Sequence, residues 1–179
     1  MYELVELTKS GEISKKSIRK FSERFNFAEK LKASGVGSIR FIYESGISYF
    51  NDIMPCIESE PQFVNFEMAK KGIYIWTNYR QNCKVVFISF ESIERIDMIS
   101  YRIRIKTKKW WRKVSEIVHR GVVELKLTNN DILYFSVFTR NHNSLLKFFE
   151  NRDQIDFYHT ISTNPPEEDK GSTFGTLSI

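Results

Sequence analysis

Histidine and cysteine are scarce in this sequence, three and two residues respectively out of 179. Cys56 and Cys83 are too few for a disulfide framework and show no metal-type spacing, so both are expected to be reduced and structural. His119, His142 and His159 have no second histidine or carboxylate at ligand spacing, which leaves no metal centre to read. A glycine-rich phosphate loop and a G-x-S-x-G elbow are also missing. Glu91, Glu94 and Asp97 flank Arg95 and read as surface carboxylates. These absences point away from an enzyme and imply neither a cofactor nor a metal. No apolar run approaches the ~20 residues that cross a bilayer. The opening "MYELVELTKSGEISKK" has no apolar core of the signal-peptide type. A cytoplasmic location is the expectation, and peripheral membrane attachment is compatible with it.

Glycine and proline are sparse, whereas aromatics are abundant: 15 Phe, 8 Tyr and 3 Trp. Rings suit pleated, half-buried surfaces, so the balance favours a β-rich core. With 41% hydrophobic and 27% charged residues the chain can fill one ordinary domain with an appended element. Residues 14–34 read as a basic amphipathic helix. Ile18, Phe21, Phe25, Ala28 and Leu31 form its stripe, Ser14 or Ser17 caps its start, and Gly35 closes it. "SIRFIYES" reads as a strand, and the stretch that follows, to residue 62, is ambiguous. "FVNFEMA" and "IYIWTN" flank "KKG" as a hairpin, "KVVFISF" follows, and "ESIERIDMI" is a short turn or irregular strand. "WWRKVSEIVHR" is expected to be a loop. "GVVELKLTNNDILYFSVF" forms the clearest hairpin, turning at "NND". "RNHNSLLKFFENR" is a helix capped at Asn141 or Asn143. The expected divisions are a helical extension at 1–35, a folded domain at 36–158 and a loose tail at 159–179.

Positive charge is concentrated. Net charge is +5, yet residues 99–120 alone hold eight cations against Glu116, while the tail carries Glu167, Glu168 and Asp169 against Lys170. In "SYRIRIKTKKWWRK" the cations Arg102, Arg104, Lys106 and Lys108 alternate with Tyr101, Ile103, Ile105 and Thr107. Alternate residues of a strand share a face, spaced by about 6.6–6.8 Å. Such a row suits the phosphates of a polyanion. Trp110 and Trp111 follow directly, and indole is favoured at the headgroup level of a membrane.

The block "GIYIWTNYRQNCKVVFISFESIERIDM" resembles the first half of a bacterial PH-like or GRAM-like domain. A Gly-hydrophobic strand there leads to a step matched by Phe90-Glu91-Ser92-Ile93-Glu94-Arg95-Ile96. A basic strand, a hairpin and "SLLKFF" follow in the expected places, so the resemblance covers residues ~60–152. It implies a mainly β fold, a curled antiparallel sheet or barrel of about seven strands capped by a C-terminal helix, here with an extra N-terminal helix. The closing helix carries Phe148 and Phe149 where eukaryotic PH domains carry tryptophan. The cations sit in a later strand than the phosphoinositide signature, so that specificity is not implied.

The function expected is non-catalytic docking to an acidic surface, an anionic membrane or an acidic protein segment. Arg102, Arg104, Lys106, Lys108, Lys109, Arg112 and Lys113 would supply the charge and Trp110 with Trp111 the anchor. One alternative is a protein scaffold that accepts a peptide at a sheet edge or helix groove, its cations serving only to keep an exposed strand soluble. Another is nucleic-acid binding through the same strand. It is less favoured, because the aromatics follow the cations instead of interleaving with them.

Overall fold

Continuous apolar runs such as "GIYIW" and "VVFIS" belong to strands buried on both faces, and the structure assigns a covering to each face. The computed structural model describes residues 2–26, 28–29, 37–47, 50, 62–77, 83–109, 112–139, 142–150 and 154–162. Its strands are β1 (Tyr2–Leu4), β2 (Gly37–Ser45), β3 (Gln62–Met68), β4 (Gly72–Thr77), β5 (Val85–Ser89), β6 (Ile93–Lys109), β7 (Arg112–Leu127), β8 (Ile132–Thr139) and β9 (Phe157–Ser162). Helix α1 spans Lys15–Lys20 and α2 spans His142–Glu150, with a 3₁₀ turn at Phe90–Ser92. The strands form one mixed sheet in the order β1-β5-β4-β3-β2-β8-β7-β6-β9. Every pairing is antiparallel except that of β9 with β6.

The fold is mainly β, as expected. Among the described residues the sheet has nine strands and does not close into a barrel, since its end strands β1 and β9 do not pair. Its two halves meet through side chains instead. Ile73 and Ile75 of β4 and Val86 and Ile88 of β5 pack in one core with Ile96 and Met98 of β6 and Val123 and Leu125 of β7. Leu145, Phe148 and Phe149 of α2 join that core, and Phe66 packs edge-on to Phe135 with ring centroids 4.9 Å apart. The other parity of β4 and β5 puts Tyr74, Val85 and Phe87 into a second cluster, covered by Val5, Ile13, Ile18 and Phe21 of the N-terminal segment. Period-two alternation between two covered faces accounts for both runs.

Three expectations are corrected. The helix starting at Lys15 is capped by Ser14, whose Oγ accepts from the Ser17 N–H at 3.1 Å, but it stops at Lys20 and does not run to 34. The chain then spends its backbone groups on the β3–β4 turn: Ser22 O accepts from the Tyr74 hydroxyl at 2.8 Å, and Glu23 O from the Lys70 N–H at 3.1 Å. Residues 112–120, expected as a loop, are the first half of β7. The sheet also extends past residue 158, because β9 continues to Ser162 alongside β6, with Phe157 stacked on Phe149 at 5.3 Å. The hairpins at 62–77 and 121–139 and the helix at 142–150 form where expected, and Asn130 takes the positive φ of 67° that the "NND" turn requires. Cys56, Pro55, Gly35 and Asn141 lie outside the described residues.

Candidate functional site: a cationic β-arm

Among the described residues, strand β6 loses its outer neighbours before it ends. Its pairing with β9 stops at Tyr101↔Ser162, and β7 leaves β8 at His119↔Thr139. Beyond that level, seven rungs from Ile103↔Val118 to Lys109↔Arg112 join β6 and β7 only to each other among the described residues. At about 3.4 Å per residue these rungs extend about 24 Å beyond the last described pairings with β9 and β8. Together they form an arm.

Parity decides which residues share its faces. Within the sheet, even positions of β6 are buried: Ile96, Met98 and Ser100. Arg102, the next even residue, is exposed. On β7 the matching parity passes from buried Val123 to Ile117, 48% exposed. The core-facing side of the hairpin thus turns to solvent at the rung Arg102↔His119. Side chains directly opposite in an antiparallel pair lie on one face. Positions 102, 104, 106 and 108 therefore share a face with 119, 117, 115 and 113, which adds Lys113 to the cation row. Glu116 stands opposite Ile105 and falls on the other face. At the tip, Lys108↔Lys113 and Lys109↔Arg112 make two successive rungs in which all four positions are cationic, one rung on each face.

The expected residues divide accordingly. Register puts Arg102, Arg104, Lys106, Lys108 and Lys113 on one face and Lys109 and Arg112 on the other. Trp110 and Trp111, the connection between the two strands, lie outside the described residues. Lys113's place on the cation face escapes a reading of 112–120 as a loop. The signal was present: Val114, Glu116 and Val118 alternate with Lys113, Ser115 and Ile117.

Two carboxylates described near the base of the arm are engaged elsewhere. Asp97 takes Arg95 at 3.0 Å and Lys126 at 2.9 Å, and Glu124 lies 3.8 Å from the same Lys126. Glu124 pairs opposite Asp97, five residues down β6 from Arg102 and so about 17 Å away along the strand. It cannot neutralise the arm. A second basic locality, a cleft of about 690 Å³, is lined by Lys20, Phe21, Lys70 and Lys71 with Glu3 and Glu91. There two of the three lysines are matched internally. Lys20 pairs with Glu3, and Lys70 with Glu23 at 3.0 Å and Glu29 at 3.5 Å. The Glu23 hydrogen bond and the two carboxylate charges hold the Lys70 ammonium above its ordinary range.

Among the described residues no group of three or more His, Cys, Asp or Glu is arranged to hold a metal ion. His159 Nε2 lies 3.0 Å from Ser100 Oγ, and burial pushes its pKa down while the Glu150 charge partly offsets that. Among the described residues no helix is long and apolar enough to cross a membrane. No protein-family model matches the chain, and no curated protein matches it.

Proposed function

We propose that this chain is a PH-like, non-catalytic module that docks on anionic membrane headgroups through the tip of its cationic arm. Seven consecutive antiparallel strands, β2 to β8, followed by the core-covering α2, support the fold part of this reading. The docking part is carried by one observation: the four positions of the last two rungs are all cationic and occupy both faces of the ribbon. A polyanion lying along the arm needs charge on one face. Charge on both faces, immediately behind two tryptophans, suits a tip that enters a headgroup layer from above, with indoles at the interface and cations around them. Each basic residue near an anionic bilayer contributes about 1 kcal/mol, so the four tip cations contribute about 4 kcal/mol, roughly a thousandfold in affinity. Attachment is reversible and salt-sensitive.

The test is co-sedimentation of the full chain with phosphatidylcholine vesicles, with and without phosphatidylserine. Binding only to the anionic vesicles is expected, falling as salt rises. It should drop by at least about three orders of magnitude in a Lys108→Glu/Lys109→Glu/Arg112→Glu/Lys113→Glu variant. Trp110 and Trp111 should be quenched by lipids brominated near the headgroup. Equal binding to neutral vesicles, or retention on single-stranded DNA without vesicle binding, overturns the reading. A second reading has its own support. β9 is an end strand with Tyr158 and Ile161 exposed, at 57% and 69%, and an extended peptide pairing there would bind without regard to salt.

A further inference from the structure

The cleft of about 690 Å³ and the arm stand at opposite ends of one strand. At the cleft the Phe90 N–H donates to the Lys71 carbonyl at 3.0 Å, and Phe90–Ser92 hands the chain directly to Ile93, where β6 begins. Ten residues of strand, about 34 Å, separate Ile93 from the base of the arm at Ile103. Aromatic rings build the cleft. Phe87 lies over the backbone of Gly72, where a Cβ would come to 2.6 Å from its ring, and stacks on Phe21 with centroids 5.3 Å apart. Phe21 and Phe90 are only half-buried, so both offer ring surface to the cleft. The Lys20 ammonium lies over the Phe21 ring at 4.7 Å, and its charge is met by Glu3. Lys70 is held by Glu23 and Glu29. Two charged side chains remain, Lys71 and Glu91. Both line the cleft and are exposed, and among the described residues neither forms an ion pair, with each other or with any third group.

The chemistry selected here differs from that of the arm. Three lysines stand among four carboxylates, Glu3, Glu23, Glu29 and Glu91, so the locality has no excess of positive charge for a polyanion. An unpaired cation and an unpaired anion on one cleft suit a ligand that carries both charges. The rings beside them suit an aromatic body, whose stacked or edge-on contacts with phenylalanine add to its burial. The size falls within the roughly 300–1,000 Å³ of small-molecule sites.

We propose that this cleft binds a free aromatic α-amino acid, its carboxylate held by Lys71, its ammonium by Glu91 and its ring against Phe21 and Phe90. The site stands independently of the docking reading. The test is isothermal titration of the full chain with four probes: L-phenylalanine, 3-phenylpropionate without the ammonium, 2-phenylethylamine without the carboxylate, and L-alanine without the ring. L-Phenylalanine should bind at one site per chain. The two ring-bearing analogues should bind about threefold to fivefold more weakly, because an exposed ion contact contributes up to about fivefold. L-Alanine should bind at least about tenfold more weakly, because it leaves the rings uncovered. Lys71→Gln should bring L-phenylalanine down to the level of 2-phenylethylamine, and Glu91→Gln down to that of 3-phenylpropionate. Both side chains are exposed, so unchanged urea midpoints should show that the fold accepts either substitution. Equal binding of L-phenylalanine and its two analogues, no saturable binding of L-phenylalanine, or binding that neither substitution weakens overturns the assignment.

Discussion

Replacing residues 104–117 by Asn-Gly removes the arm and leaves the sheet. The join is set by register. Ile103↔Val118 has the same ladder parity as Lys109↔Arg112, six residues further along, which closes the natural two-residue connection. A two-residue Asn-Gly turn therefore meets strands of the correct phase. Buried Val118 is kept. If the arm were folded against the body, excision would strip Ile105, Val114 and Ile117 from a core, at about 1.5–3 kcal/mol each. That total, about 4.5–9 kcal/mol, is a large fraction of a typical domain stability of about 5–15 kcal/mol. A free-standing ribbon predicts a change within about 1 kcal/mol, and Ile117 is already half exposed. The excised chain keeps Trp76 as its one tryptophan out of three, so urea unfolding followed by indole fluorescence reads the body directly. With a urea slope of about 2 kcal/mol per molar, the midpoint should stay within about 0.5 M of the parent. A fall of 1.5 M or more would show the ribbon to be part of the core, and the tip-first geometry would go with it.

Three further outcomes test the body itself. Glu67 is a buried carboxylate that accepts from Arg24 Nε at 2.7 Å and Trp76 Nε1 at 3.0 Å, clamping the N-terminal segment to β3 and β4. Glu67→Ala should cost about 2 kcal/mol in urea unfolding, below the range for a fully buried pair because Arg24 is partly exposed, and Glu67→Gln should cost less. Gly72→Ala would bring a Cβ to 2.2 Å from the Ile88 carbonyl oxygen and 2.6 Å from the Phe87 ring. The melting temperature should fall by roughly 4–8 °C, because a backbone atom must move. Burial pushes the Tyr74 phenol up to about 12. A raised folded-state pKa contributes stability that is complete below the unfolded value near 10 and is lost as pH rises towards 12. The parent should therefore lose on the order of 2 kcal/mol more than Tyr74→Phe between pH 10 and pH 12, as measured by paired urea titrations.

Local pattern carried the hairpins and α2 into the sequence reading, because a turn such as "NND" and a stripe such as Leu145, Phe148 and Phe149 are set by near neighbours. It failed for α1. Ile18, Phe21 and Phe25 recur at helical spacing, but Ile18 and Phe21 pack in the outer cluster while Phe25 packs against the main core. One face of a straight helix cannot serve both. β9 escaped notice because its partner lies far back in the chain, so no neighbouring turn announces it. The first half of β7 escaped notice because Glu116 interrupts the apolar parity of Val114 and Val118, and Ile117 stands among the polar positions of the other. Its cationic partner strand was legible for the converse reason, since charge on every second residue is itself a period-two signal.

The candidate site is thus fixed by residues remote from it. Shifting β6 by one residue against β7 would turn Asp97 and Ile99 to the core and carry Ile96 and Met98 out to the far face. The same slip would move Lys106 and Lys108 to the side that holds Glu116. Burial of Ile96, Met98, Val123 and Leu125 excludes that arrangement, and each of these side chains contributes about 1.5–3 kcal/mol to the native register. The arm's cation face is held by the core at its base: substitutions there that preserve the fold but loosen register would scatter the charge row before they unfolded the domain.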